Sequence, residues 1–70
     1  MKTVGIMTLK QVQALAKDIA ESAHESMKVN VRESSSTLVV DSARGPLLRA
    51  VWRIKKECHV MAVEGLITKE

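Results

Sequence analysis

The sequence predicts a small α+β domain, and three observations carry that expectation. Residues 8–27 repeat their apolar side chains with helical spacing, residues 28–41 change to a two-residue alternation, and a run of helix-compatible residues follows the Asp41–Pro46 loop. The resulting order is an amphipathic helix (about 8–27), a β-hairpin (about 28–41) and a second helix (about 46–64), in one domain spanning residues 1–70. The alternative is one helix packed on a four-stranded antiparallel meander.

The first helix is the best defined of these elements. At about 100° per residue, Leu9, Val12, Leu15, Ala16, Ile19, Ala20, Ala23 and Met27 share one arc, and Lys10, Gln11, Gln13, Lys17, Asp18, Glu21, His24 and Glu25 occupy the other. Thr8 is a favourable N-cap, Gln11 three residues later completes a capping box, and Met7 and Val12 have the spacing of a hydrophobic staple. The alanines on the apolar arc predict close approach of a sheet or of another helix. Ahead of the helix, Val4 and Ile6 alternate with Thr3 and Gly5, a pattern suited to a short edge strand or to a free tail.

Val29 and Val31 alternate with Lys28, Asn30 and Arg32, Glu33 to Ser36 forms a polar turn, and Thr37 to Val40 is rich in β-formers. Asp41-Ser42-Ala43-Arg44-Gly45-Pro46 is the plainest loop in the chain. Beyond it two readings compete. As a helix, Pro46 takes the first position, Leu47, Ala50, Val51, Ile54, Cys58, Met61 and Ala62 line one face, and Gly65 caps the end. As strands, Leu48, Ala50, Trp52 and Ile54 alternate with Arg49, Arg53 and Lys55, and Cys58 to Val63 forms a partner strand. Lys55-Lys56-Glu57 lacks the Gly, Asn, Asp or Pro of a tight hairpin turn and favours helix by propensity, so the helix is the expected form.

Length and composition limit function. A 70-residue chain buries only about 60% of the surface that its unfolded form exposes, so self-association into a homodimer is one route to added core. One cysteine forms no internal disulfide, and Cys58, His24 and His59 do not make a zinc site without a carboxylate. No apolar run reaches the roughly 18–20 residues of a membrane span, and residues 1–7 are too short for a secretory signal. The expected setting is therefore cytoplasmic. Cys58 and His59, being adjacent, point in different directions on either a helix or a strand and are not poised for proton transfer. Neither a phosphate-binding glycine loop nor a metalloprotease spacing is present. The expectation is a chain without catalytic activity, metal or cofactor.

The charge distribution is the most informative feature. Residues 44–56 carry Arg44, Arg49, Arg53, Lys55 and Lys56 with no acid, in a chain whose net charge is +3. Together with Trp52, the only aromatic residue, they make the expected contact set: Arg and an exposed Trp are the side chains enriched at binding hot spots. The expected function is that of a small accessory protein binding the acidic surface of a larger protein partner. The alternative target is duplex nucleic acid, bound at its phosphates by the same cations. Without Tyr or Phe the chain has no stacking platform for single strands.

Overall fold

The computed structural model of the protein describes residues 2–63 and Leu66. Strand β1 (Lys2–Met7) leads into helix α1 (Leu9–Ser22), and a short 3₁₀ turn (Glu25–Met27) precedes β2 (Asn30–Glu33), β3 (Thr37–Ser42), β4 (Gly45–Val51) and β5 (Cys58–Ala62). All five strands form one antiparallel sheet in the order β1-β5-β4-β3-β2. Strands β2 to β5 are a meander, and β1 is added beside β5. Helix α1 then has to carry the chain from one sheet edge to the other. Its 14 residues rise about 21 Å, close to the roughly 19 Å spanned by five strands.

The helix starts as its sequence predicts. Thr8 Oγ1 accepts from the Gln11 amide at 3.2 Å, and Gln11 Oε1 accepts from the Thr8 amide at 3.0 Å. It ends earlier than Met27. The Ala23 amide still donates to Ile19 O, but His24 Nδ1 accepts from the Ser26 amide and so caps a separate 3₁₀ turn. Lys28, at φ 50°, then turns the chain in a left-handed conformation toward β2. Val12, Ala16 and Ile19 are the buried positions of α1, whereas Ala20 is exposed.

The helix rests on the inward side chains of three adjacent strands: Leu38 and Val40 of β3, Leu48 and Ala50 of β4, and Cys58, Val60 and Ala62 of β5. Leu47 and Trp52 complete this core, with Met7, Leu9, Leu15, Met27, Val29 and Leu66 packed at its border. Among the described residues no buried side-chain nitrogen or oxygen lacks a hydrogen-bond partner.

The second helix expected at about 46–64 is not formed where the chain is described; two strands and a connecting loop take its place, as in the meander alternative. The proposed cap at Gly65 and the helix end at Glu64 lie outside the described residues. Three local features explain the difference. Ala43-Arg44 is a two-residue hairpin turn between the paired Ser42 and Gly45, and Gly45 adopts φ 115°, which side-chain-bearing residues rarely reach. Ser42 Oγ accepts from the Arg44 amide and donates to Gly45 O, which closes the turn. Pro46 lies where the β3–β4 register shifts, a bulge that tolerates its missing N–H.

The β4–β5 connection is not a tight turn, in keeping with the absence of Gly, Asn, Asp and Pro from Lys55-Lys56-Glu57. It is a six-residue loop, Trp52 to Glu57, fixed by contacts both within itself and to residues distant in sequence. The Trp52 amide donates to Ser36 O at 3.0 Å, and the Glu57 amide donates to Ile54 O at 3.0 Å. Lys55 O accepts from the Leu9 amide at 2.7 Å and lies 3.5 Å from the Cys58 thiol. The loop thereby satisfies an otherwise unpaired amide in the first turn of α1.

These features set two expectations for stability. Leu48, with no solvent exposure, should cost about 2–5 kcal/mol when replaced by alanine, a large part of what a domain this size possesses. Thr8→Ala should cost about 1 kcal/mol through the lost cap. Urea titration of the two variants checks both values, and equal effects would contradict this division between core and cap.

Candidate functional site

Helix α1 covers one face of the sheet, and no described element covers the other, bare face. Residues paired across antiparallel strands project to the same side, so the registers define the rows of the bare face. One row runs Ile6, His59, Val51 and Thr37 across β1, β5, β4 and β3. The next places Met61, Arg49, Val39 and Arg32 side by side across β5, β4, β3 and β2. Ile6 is 60% exposed, Met61 40% and Val51 39%, so the apolar members are open to solvent.

Arg49 stands in the middle of this face. Its cross-strand neighbours are Val39 and Met61, and Val51 follows two residues along its own strand. No described residue forms an ion pair with it. Arg32 differs, since its guanidinium pairs with Asp41 on the adjacent strand and its charge is largely compensated. Such an exposed pair contributes at most about 1 kcal/mol to stability. It does engage Asp41, the acid carried by the adjacent strand β3. At the β5 end, Val51, Trp52, Arg53, Ile54, Glu57 and His59 border a hollow of about 360 Å³. Ile54, at 57% exposure, extends the apolar surface onto the loop.

The expected contact residues are divided rather than gathered. Arg49 lies on the bare face and Arg53 at its margin. Lys55 and Lys56 border a different hollow with Lys10, Thr8, Leu9 and Gln13 at the start of the helix. Arg44 occupies the β3–β4 turn, at the opposite end of β4 from Arg53, with the strand's own length of about 20 Å between them. The basic ridge expected from a helical 46–64 segment is therefore absent.

Trp52 requires a larger correction. It is 4% exposed, because the inward alternation of Leu48 and Ala50 continues through it into the core, and a buried indole offers no contact surface. The composition-based expectation missed Ile6, Val51, His59 and Met61. Their signal is the two-residue alternation of His59 and Met61 against Cys58, Val60 and Ala62, visible only if this segment is read as a strand.

Potential chemistry is sparse among the described residues. No group of three or more His, Cys, Asp or Glu side chains is placed to hold a metal ion. His24 and His59 are both exposed, on different elements. Cys58 is fully buried and unpaired, and desolvation raises its thiol pKa above the ordinary value. A thiol raised in this way is protonated and a poor nucleophile at neutral pH. Among the described residues no helix is long and apolar enough to cross a membrane.

The Cys58 shift has a definite sign in stability. The folded state resists ionisation more than the unfolded state, so the thiol's contribution is intact below the ordinary thiol range near pH 8.5 and declines as pH rises through the folded-state value. Urea midpoints measured from neutral pH to about pH 10 should fall more steeply for the wild type than for Cys58→Ala; parallel curves would refute the assignment. No family model, curated protein or solved structure matches this chain.

Proposed function

We propose that the chain is a non-catalytic accessory protein that docks on an acidic, partly apolar surface of a larger protein through the helix-free face of its sheet. The observation that carries this reading is Arg49: an exposed guanidinium without an ionic partner among the described residues, surrounded by Val39, Val51 and Met61. Apolar neighbours that exclude water strengthen an ion pair made with an incoming carboxylate. Arg53 at the margin and the adjacent Ile54 extend the same mixed surface. The lone, unpaired Cys58 suits a reducing compartment, and we assign the chain to the cytoplasm on that basis.

The same cations could bind duplex phosphates, but the surface around Arg49 favours protein. Phosphate-contacting surfaces are predominantly polar and basic, whereas Ile6, Val51 and Met61 alternate with the charges here. Lys55 and Lys56 face the beginning of α1 rather than extending the row of Arg49.

A photo-crosslinking side chain introduced at Met61 should trap a discrete acidic protein, while the same group at Asp18 on the far side of the helix should not. Arg49→Glu should weaken retention of that protein at least tenfold, equivalent to about 1.4 kcal/mol. Trp52→Ala should act by destabilising the fold, which thermal unfolding would reveal. Retention unaffected by Arg49→Glu would displace the site from this face. Salt-sensitive retardation of duplex DNA or RNA that Arg49→Glu with Arg53→Glu abolishes would select the nucleic-acid reading instead.

A further inference from the structure

The second unsatisfied surface lies on the sheet edge formed by β2, on the helix side, apart from the bare face. The Ser34 amide donates to Thr37 O at 2.8 Å, so residues 34 and 37 form a hydrogen-bonded pair. In an antiparallel ladder such pairs alternate, which assigns Arg32–Val39 and Asn30–Asp41 to the same class. The N–H and C=O groups of Val31 and Glu33 consequently point away from β3. They meet an edge that no described strand covers.

The usual protections of an edge are missing from this strand. Its register with β3 is continuous through all four pairs, and it contains neither proline nor lysine. Its two charges are engaged within the chain: Arg32 pairs with Asp41, and the Glu33 carboxylate accepts from Gln13 Nε2 at 3.2 Å. Val31 remains 41% exposed on the helix side. It borders a hollow of about 310 Å³ between β2 and α1, whose apolar lining is Ala16, Ala20, Val31 and Leu38 and whose polar lining is Gln13, Lys17 and Glu33.

We propose that a second copy of this chain occupies that edge, with β2 pairing antiparallel to β2 about a two-fold axis through Val31. Side chains on one face must oppose one another, and only the odd-numbered residues offer outward hydrogen bonds. Pairing centred on Arg32 or on Glu33 would set identical charges directly opposite, which is destabilising. Centring on Val31 opposes valine with valine, Arg32 with Asn30 of the second copy, and Glu33 with Val29 of the second copy. The result is a ten-stranded sheet carrying both helices on one side, with the two valines closing the hollows. The compensated charges of this edge suit an identical partner, whereas the bare face would set Arg49 against the cationic face of its copy. For a short chain the pairing also adds core that its own residues do not supply.

Analytical ultracentrifugation over a concentration series should give a mass rising from the 7.7 kDa of one chain to twice that value. Val31→Lys, which sets two ammonium groups directly opposite one another at the two-fold axis, should leave a monomer with unchanged circular dichroism. Val31→Cys supplies a second measurement if that variant fails to fold. Hydrogen-bonded partners have Cα atoms about 5.5 Å apart, within disulfide reach, so oxidation should join two copies of this variant and should not join Glu33→Cys. Cys58, being buried, does not compete. A wild type that stays monomeric at every concentration, a dimer that survives Val31→Lys, or cross-linking through Glu33→Cys instead of Val31→Cys would overturn the proposal.

Discussion

The structure depends on the contact of one helix with one face of a sheet. Val12, Ala16 and Ile19 are the side chains that α1 buries, and they meet inward residues of β3, β4 and β5. Alanine at position 16 permits the backbones to approach closely, and the larger residues on either side fill the space along the strands. A single helix of this length can cover only one side of five strands, so a two-layer arrangement is imposed by the size of the chain. The other side must remain in water unless a partner covers it. Its mixture of valine, isoleucine and methionine with arginine and histidine follows from that position: enough polarity to remain hydrated, and enough apolar area to bind.

With so little core, the ends of elements contribute much of the order. The β4–β5 loop serves three elements together, since Lys55 O pairs with the first turn of α1 and approaches the Cys58 thiol, while Trp52 is anchored both in the core and to the β2–β3 turn. This loop also carries Arg53, Lys55 and Lys56. Charge on the surface of the loop and rigidity beneath it therefore belong to the same six residues. A basic side chain held on such a support loses less conformational freedom on binding than one on a free loop.

The start of α1 was fully legible in the sequence, because a capping box is a local device and Thr8 and Gln11 satisfy it without help from the rest of the chain. The β2–β3 hairpin was legible for a similar reason, its polar turn lying between short alternating runs. Residues 46–63 were legible only as two competing readings, of which the strands were the alternative. Two of their decisive features are local, the Ser42–Gly45 turn and the Pro46 bulge opposite Asp41, but the Lys55-Lys56-Glu57 run is held by distant partners, Leu9 and Trp52's link to Ser36. Helix propensity was outweighed by pairing that no window of the sequence contains. The site shared this fate. Arg49 was identifiable from charge alone, but its apolar surroundings come from β3 and β5, and the same strand alternation that exposes Arg49 turns Trp52 inward.

Burial of Trp52 has a practical meaning of its own. With no tyrosine or phenylalanine present, all near-ultraviolet emission from the protein originates at one indole, positioned where the core passes into the basic loop. The colour of that emission reports the dryness of a single location. Occupation of the adjacent hollow, or loosening of the loop that holds α1, is thus visible in the unlabelled molecule as a shift of one fluorescence band, without contributions from other aromatic side chains.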